Sequence, residues 1–413
     1  MTTPSPAQLD SSLAAAASSA GFDGQPPGTV VTDFDRLLDR VAGSPTPLSA
    51  NHLLPLKSLA EINEGLSHPL RLAMQRPQQK SFPPIHGLYL LLRASGLVRV
   101  EQRSGKPVLA ASPEALRSWQ ALNPVERYFE LLGAWWERAT DEIIGERTGA
   151  FLLPVLRVLQ FFGHLGRTGE YLVKTPQDAD MLRHWPRMHH LALMELFGLV
   201  EITLAAEDKA WLPASIRLSG WGAGLLGHYR AVFDEAMQLD AGAESDDWCD
   251  PELHFQRWKN RVRPLFPLWR NGLTVPEKAI HSGSVRFKVS LGKDCWRRLA
   301  VPGEHSLDDL AGLILEAFRF DDEHGYAFRY TDALGRKVSA IDPPLSGETG
   351  ESPADEVLLG ELPLQPGYPI DFLYDFGESW RFVLETEAVD DTPIAKAKIT
   401  EKHGKPPKQY SGW

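Results

Sequence analysis

One pattern of residues occurs twice in the first two thirds of this chain and constrains its fold more than any other feature. Residues 86–100 read HGLYLLLRASGLVRV, and residues 190–202 read HLALMELFGLVEI. In both, a histidine opens an apolar helix, and Gly96 or Gly198 stands where a helix needs a left-handed residue to end. The Leu-Val pair after each glycine begins a β-strand. The sequence therefore predicts two copies of one unit.

A β-hairpin is predicted after each of these helices. The first joins VRVEQ to PVLAA through the turn RSGK, and the second joins VEITL to AWLPA through AAEDK. A helix, a glycine cap and a hairpin describe a winged helix, which can read DNA through a helix in the major groove. Here the helices are mostly apolar and offer little beyond Arg93 and His189 to contact DNA. A structural or protein-binding role is favoured, and DNA reading stays open.

Three histidines of the two copies raise the question of a metal site, because neutral imidazole is a common ligand. They are His86, His189 and His190. No Asp, Glu, Cys or further His lies three or four residues from any of them, where it would share a helical face. We interpret them as capping or partly buried residues and predict neither a metal nor a cofactor.

Length and composition indicate several domains in a protein without membrane segments. The 413 residues exceed what one hydrophobic core usually supports, and no stretch approaches the roughly 20 apolar residues of a membrane helix. The two cysteines, Cys249 and Cys295, suit neither a disulfide framework nor a zinc site, which favours the cytoplasm. The predicted domains are a disordered tail over 1–29, helical winged-helix-like units over 30–145 and 146–275, a linker over 276–283, and a C-terminal domain over 284–413.

Aromatic and arginine residues alternate near the end of the helical region, in PELHFQRWKNRVRPLFPLWRNGL. Such a segment could stack on bases or on a protein partner. The alternative, which we favour, is a helix that docks its aromatic face on the preceding domain. The aromatic residues concerned are Phe255, Trp258, Phe266 and Trp269.

The last third of the chain changes to β-rich alternation. SVRFKVSLG and CWRRLAVP predict two strands, and SLDDLAGLILEAFRF predicts a helix with Ser306 as N-cap and acids in its first turn. The fold class is thus multidomain α+β, with a mainly helical N-terminal region and a C-terminal domain of one antiparallel sheet and one main helix. Residues 281–413 contain 15 Lys and Arg against 23 Asp and Glu, a net charge of −8 that disfavours nonspecific binding to nucleic acid.

The residues of this domain resemble the plasmid pRiA4b ORF-3-like family. A strand ends in Trp-Arg-Arg, a helix leads to an aromatic and acidic stretch before a His and a Phe, and a Tyr-Asp-Phe-Gly-acid-x-Trp signature follows. These are Trp296, Arg297 and Arg298, then Phe320, Asp321, His324 and Phe328, then Tyr374, Asp375, Phe376, Gly377, Glu378 and Trp380. The resemblance implies an association with plasmids and mobile elements but no assigned activity.

The signature residues provide candidate binding and catalytic groups. The candidate binding residues are Trp296, Arg297, Arg298, Asp321, Tyr374 and Trp380. Asp375 and Glu378 are expected around one tight turn in which Gly377 has a positive φ. With His324 they could support acid/base or metal-assisted chemistry, but an ion-pair network is favoured.

One departure from the family pattern affects the C-terminus. Members frequently carry Pro-Pro-Glu-Asp there, whereas this chain has Lys408 and Gln409 in place of the two acids. If those acids belong to a catalytic or metal site in the family, this chain has lost them.

No strong catalytic or cofactor motif occurs in the chain. We therefore predict a non-catalytic binding or scaffold protein with an unidentified protein partner, and an enzyme is disfavoured. Two alternatives stay open: a winged-helix regulator that binds nucleic acid through the N-terminal region, and a hydrolase that acts on nucleic acid through Asp375 and Glu378.

Overall fold

The chain divides into two units, Met1–Pro276 and Glu277–Trp413, in the computed structural model. The described residues are 6–22, 24–103, 106–146, 154–205, 211–240, 251–275, 280–333, 336–349 and 351–409. The predicted boundary between 145 and 146 falls inside the first unit, and residues 276–279 of the predicted linker lie outside the described residues. None of the described helices combines the length and apolar character that crossing a membrane requires.

The first unit is mainly helical, as the sequence predicted. Its helices are α1 (Pro6–Ser19), α2 (Val30–Ala42), α3 (Leu56–Glu64), α4 (Pro83–Ala94), α5 (Pro113–Ala121), α6 (Pro124–Gly133), α7 (Pro154–Thr168), α8 (Pro176–His184), α9 (Met188–Leu196), α10 (Gly220–Asp240) and α11 (Pro251–Val262). Its strands are β1 (Thr46–Pro47), β2 (Val98–Arg103), β3 (Lys106–Ala111), β4 (Glu170–Leu172), β5 (Val200–Leu204) and β6 (Pro213–Leu218).

Two halves of this unit repeat the same order of elements. The first runs α2, β1, α3, α4, β2, β3, and the second runs α7, β4, α8, α9, β5, β6. The strand orders β1-β3-β2 and β4-β6-β5 also correspond. Gly96 and Gly198 have φ of 79° and 70°, which confirms the predicted left-handed residue after each helix. The second hairpin differs from the prediction, because its return strand begins at Pro213.

Helix α4 of the first half packs directly against α9 of the second. Every residue of α4 is buried, and so are His189 to Met194 of α9. The two backbones come closest at Gly87, where an ideal Cβ would lie 2.9 Å from the carbonyl oxygen of His189. A side chain at that position would meet backbone that cannot move aside. The absence of a side chain at Gly87 therefore lets the two halves join.

The sequence predicted a disordered tail over 1–29, but the described residues 6–22 of this segment are folded. Residues Pro6–Ser19 form α1, which packs on α10 and buries Leu13. Phe22 then inserts among the rings of Tyr128, Trp221 and Phe266 at centroid distances of 5.0 to 5.5 Å. The Ala- and Ser-rich composition misled the prediction because small side chains permit close helix packing.

The aromatic and arginine segment that includes α11 docks on the same core. Trp269 stacks on Phe129 of α6 at 3.9 Å with ring planes 8° apart. Arginine side chains of the segment bind within the unit: Arg261 donates to Asp10, and Arg263 donates to the carbonyl oxygen of Trp269. The geometry supports the docking interpretation favoured above, because the rings are buried and not available for stacking on bases.

The second unit is an α+β domain built on one large sheet, as predicted. Its helices are α12 (Leu307–Phe318) and α13 (Pro343–Thr349). Its strands are β7 (Ser284–Ser290), β8 (Trp296–Pro302), β9 (Tyr326–Thr331), β10 (Lys337–Ile341), β11 (Ser352–Pro353), β12 (Pro369–Tyr374), β13 (Trp380–Asp390) and β14 (Lys398–His403). They pair in the order β11-β10-β9-β12-β13-β7-β8-β14, all antiparallel except β10 with β11.

Helix α12 and one face of this sheet form the core of the second unit. Ser306 caps the helix by accepting from the N–H of Asp309, which confirms the predicted N-cap. Strand residues alternate between this core and the opposite face. On β7, Val285, Phe287 and Val289 are buried, whereas Arg286 is exposed on the other side. The opposite face of the sheet is therefore open within the described part of this unit.

Candidate functional site

The predicted catalytic turn joins β12 to β13. Asp375 adopts a left-handed conformation with φ of 55°, and its Oδ1 accepts from the N–H groups of Gly377 at 3.0 Å and Glu378 at 3.2 Å. Ser379 also has a positive φ, whereas Gly377 does not, so the predicted role of Gly377 is wrong. Asp tolerates this conformation because its side chain binds the turn's own backbone. One carboxylate oxygen of Asp375 is thus occupied in shaping the turn.

His324 lies beside this turn. Its Nε2 lies 3.8 Å from Oδ2 of Asp375, which is buried, and the histidine side chain is 41% exposed. Glu378 is exposed. Among the described residues, these three do not form a cluster with ligand atoms close enough to share a metal ion. The structure therefore brings His324 and Asp375 together, and no third metal ligand joins them within the described part of the chain.

Asp321 and Tyr374 form a second polar group, at the end of α12. The hydroxyl of Tyr374 donates to the backbone oxygen of Asp321 at 2.6 Å, with Oδ1 of the same residue at 3.2 Å. The side chain of Gln409 donates to Oδ1 of Asp321 at 2.6 Å and accepts from its backbone N–H at 2.7 Å. Burial and the neighbouring Asp321 raise the pKa of Tyr374 to about 12. Tyr374 therefore stays protonated and acts as a donor.

Trp380 and the Trp-Arg-Arg residues lie in three different environments. Trp380 packs edge-on against Phe320 at 5.0 Å, and its buried indole N–H has no partner among the described residues. Arg297 is buried and donates to the carbonyl oxygens of Ala317, Trp296, His403 and Gly404.

Trp296 and Arg298 lie on the open face of the sheet. The ring of Trp296 is stacked on His403 at 5.1 Å and has the Arg298 guanidinium 4.8 Å from its centroid. Arg298 itself binds the carboxylates of Glu387, at 2.9 Å, and Glu401. The six predicted binding residues therefore do not form one site.

The sequence did not predict a buried ionic cluster at the junction of the two halves of the first unit. Its centre is Asp141, whose Oδ1 lies 2.8 Å from Nε2 of both His189 and His190. The guanidinium groups of Arg157 and Arg187 lie 3.1 and 2.8 Å from Oδ2 of the same carboxylate. Four cationic or N–H groups thus converge on one buried acid.

Asp141, His189 and His190 have the residue types and spacing of a metal site, but their hydrogen bonds argue against one. The indole N–H of Trp135 can only donate, and it points at Nδ1 of His190 at 3.0 Å. Nδ1 therefore accepts, and Nε2 carries the proton that it donates to Asp141. Two arginines beside the same carboxylate would also repel a cation. The arrangement suits a carboxylate held by donors.

His86 extends this cluster in the same manner. Oε1 of Gln79 accepts from the N–H of Leu54, so its amide nitrogen donates to Nδ1 of His86 at 3.0 Å. Nε2 of His86 then carries a proton and lies 3.8 Å from Oε1 of Glu146. His86 and His189 meet edge to face at 5.2 Å. The cluster therefore links α4 to α9 through histidines: His189 and His190 donate to Asp141, whereas Nε2 of His86 faces Glu146 beyond hydrogen-bond distance.

Electrostatics within the cluster favour ionised acids and neutral histidines. Burial opposes ionisation of Asp141, but the interactions with His190 and His189 outweigh it and hold the pKa of its carboxyl well below the usual range. Burial lowers the pKa values of His86 and His189, although Glu146 and Asp141 partly counteract it. The folded unit therefore resists protonation of these two histidines.

This resistance predicts that the first unit loses stability in mild acid. In the unfolded chain a histidine has a pKa of about 6.5, so below that pH the unfolded state binds protons that the folded state excludes. The stabilisation is present above about pH 6.5 and is lost as the pH falls below it. We expect the urea concentration at the unfolding midpoint to decrease as the pH is lowered from about 7.5 to about 5. Hydrogen exchange of the backbone amides in α4 and α9 would report the unfolding.

His86→Gln should reduce this pH dependence, because glutamine keeps a donor but does not titrate. Asp141 cannot account for the effect, since its lowered pKa places its protonation below this window. An unchanged midpoint across the window would contradict the prediction.

A second series of hydrogen bonds of the same kind holds the N-terminal helix α1 in place. Trp258 donates to Nδ1 of His228 at 3.2 Å, and Nε2 of His228 lies 2.9 Å from Oδ1 of Asp10 on α1. Arg261 donates to the same carboxylate oxygen at 3.3 Å. The same order of residue types, Trp, His, Asp and Arg, occurs around Asp141. Hydrogen-bond series of this kind therefore join separate elements of this unit. Neither could be found from sequence spacing, because the partners are distant in the chain.

Comparisons with known proteins bear on the second unit. Residues 284–412 match the family model described as Plasmid pRiA4b ORF-3-like protein. A solved structure of a protein of unknown function from Methanosarcina mazei Go1 is similar, with 18% identity over 31% of this chain and 74% of that chain and a TM-score of 0.27. No curated protein gives a significant match. The resemblance noted in the sequence is confirmed, and the C-terminal domain belongs to the plasmid pRiA4b ORF-3-like family.

Proposed function

We propose that this chain is a non-catalytic binding protein, in which the first unit is a rigid scaffold and the open sheet face of the second unit binds a protein partner. The observation that carries the proposal is the packing of α4 against α9, because it removes the surface through which the first unit would otherwise read DNA. An association with plasmids or mobile elements is part of the proposal and rests on the family resemblance.

The two halves of the first unit support a winged-helix interpretation in which the third helix of each half is buried. Each has the order helix, strand, helix, helix and two-stranded hairpin, and the third helix is the one that enters the DNA groove in winged-helix proteins. Here those third helices are α4 and α9, and both are buried. They hold the halves together and offer little surface to DNA. This favours a scaffold over the alternative of a DNA-binding regulator.

The turn around Asp375 favours binding over hydrolysis. A general base or metal ligand needs a carboxylate that is free to meet substrate, but Oδ1 of Asp375 already accepts two backbone N–H groups. Nε2 of His324 lies 3.8 Å from Oδ2, which is longer than a hydrogen bond. The hydrolase alternative through Asp375 and Glu378 is therefore less well supported.

The open sheet face has the composition of a surface that binds protein. Val383 is 50% exposed at its centre, where a protein partner could bury it. Two of its basic residues are paired with acids on the same face: Arg298 with Glu387, and Arg286 with Asp390 at 3.2 Å. Cations neutralised in this way would release few counterions from nucleic acid. The partner is thus expected to be a protein.

The proposal can be tested with two measurements on the full chain. Fluorescence anisotropy with short single- and double-stranded DNA and RNA at low and moderate salt should show no salt-sensitive binding. Capture of partners from the native cell should recover a protein with the wild type and lose it with Val383→Glu. Glu316→Ala, on the exposed side of α12, is the matched control and should capture normally.

Three results would overturn the proposal. Salt-sensitive binding in the micromolar range would restore the DNA-binding regulator. Capture that Val383→Glu leaves intact would move the binding surface elsewhere. Phosphodiesterase activity that Asp375→Ala with Glu378→Ala abolishes, with the melting temperature preserved, would restore the hydrolase.

A further inference from the structure

Asp321 holds the carboxamide of Gln409 by both ends. Its backbone N–H donates to Oε1 at 2.7 Å, and its Oδ1 accepts from Nε2 at 2.6 Å. The two residues are 88 positions apart in the chain, so this contact is tertiary. A donor and an acceptor side by side form the complement of one chemical group, the primary carboxamide.

The two binding atoms of Asp321 are positioned by the core and not by Gln409 alone. Tyr374, fully buried on β12, donates to the backbone oxygen of Asp321 at 2.6 Å. The preceding residue, Phe320, is buried and its ring meets that of Trp380. A site whose atoms are fixed in advance loses little entropy when a ligand binds. The cradle formed by Asp321 and Tyr374 would therefore persist if Gln409 left it.

The cradle discriminates between side chains of similar size. A glutamate at the position of the amide would place a second carboxylate within hydrogen-bond distance of Asp321, where like charges repel. A lysine could donate to Oδ1 but could not accept from the backbone N–H. Of the long polar side chains, only a carboxamide satisfies both atoms, which gives the site a defined ligand class.

The segment that delivers Gln409 is held at its two ends. At one end, Arg297 donates to the carbonyl oxygens of His403 and Gly404, at 2.6 and 3.4 Å. Between there and Gln409, residues Lys405 to Lys408 make no backbone hydrogen bond in the described part of the chain. Two of these residues are prolines, which lack the N–H that such a bond would need. The hydrogen bonds between Asp321 and Gln409 therefore hold the end of the described segment in place.

We propose that the Asp321 cradle is a binding site for the primary carboxamide of a glutamine or asparagine side chain from a partner, and that Gln409 occupies it in the free protein. A partner would insert its own carboxamide as the 404–409 segment moves away, so the segment lowers the apparent affinity. This site is separate from the open sheet face and does not depend on it.

The test uses the full chain with Gln409→Ala and a small probe, N-acetyl-L-glutamine amide. Binding is followed by the amide resonance of Asp321 in a deuterated, nitrogen-15-labelled sample. We expect a saturable shift with a dissociation constant in the millimolar range, because only two hydrogen bonds hold the probe. The wild type should respond at least about tenfold more weakly, since Gln409 competes from the same chain.

The control probe is the matching glutamate derivative, which should not shift the resonance. A melting temperature close to that of the wild type would show that Gln409→Ala preserves the fold, and Gln409→Glu provides a second variant that vacates the cradle. The proposal fails if neither variant responds to the carboxamide, if the wild type responds equally, or if the glutamate derivative binds as well.

Discussion

Replacing Asp141 with alanine is expected to lower the free energy of unfolding of the first unit by about 3–5 kcal/mol, which is the range for breaking a buried ion pair from one side. The variant would leave Arg157, Arg187, His189 and His190 without their shared acceptor in a buried setting. Uncompensated buried cations cost more than the lost contacts themselves. Urea unfolding monitored by circular dichroism would measure the change.

Asp10→Ala is the matched control for this experiment. Asp10 has the same kinds of partners, His228 and Arg261, but its side chain is 32% exposed, so water can replace the lost acceptor. We expect a loss of about 1 kcal/mol or less, as for exposed ion pairs. The prediction is wrong if the two substitutions lower the free energy of unfolding equally, or if Asp141→Ala lowers it by less than about 1 kcal/mol. Burial would then not determine how much the Asp141 cluster stabilises the first unit.

Local patterns predicted the elements of this fold well. The glycines that end α4 and α9, the first hairpin and the Ser306 cap of α12 are set by neighbouring residues, and the structure confirms them. The signature residues of the C-terminal domain likewise identified its family correctly. Information of this kind lies within a few residues of the chain, where spacing and residue type are visible.

Contacts between distant residues could not be predicted in this way. Residue spacing reveals only ligands on the same helix as His189 and His190, but their partner is Asp141, which is 48 and 49 positions away. The same holds for α1, whose alanines and serines by themselves indicate disorder. In the fold, Ala16 of α1 packs closely on Gly224 of α10. Composition describes a segment alone, whereas burial depends on what the rest of the fold places beside it.

The candidate site in the C-terminal domain shows a finer limit. The sequence indicated a tight turn at residues 375–379 but assigned the left-handed conformation to Gly377. The structure places it at Asp375 and Ser379, because the Asp375 side chain can bind the N–H groups ahead of it. Glycine is the usual residue for such a conformation, but aspartate can substitute when its own hydrogen bonds compensate. The turn therefore lies where the sequence predicted it, but different residues adopt its left-handed conformation.

Gly87→Ala is expected to destabilise the first unit, although alanine is the better helix former. The new methyl group would lie 2.8 Å from Cγ of Leu193 and 2.9 Å from the backbone oxygen of His189 on α9. Overpacking of this kind typically costs about 1–3 kcal/mol, and its midpoint outweighs the roughly 0.5–1 kcal/mol that alanine gains over glycine within a helix. The net loss would appear as a lower urea midpoint and faster hydrogen exchange in both α4 and α9.

Gly163→Ala separates the two contributions. Gly163 lies within α7, and an ideal Cβ there has no atom within 4 Å among its surroundings. This substitution should raise the free energy of unfolding by about 0.5–1 kcal/mol, because it gains helix propensity without a clash. Opposite signs for the two substitutions would establish that the α4 and α9 backbones meet at Gly87. If both substitutions stabilised the first unit, the halves would not join at Gly87. The main support for a rigid scaffold would then be lost.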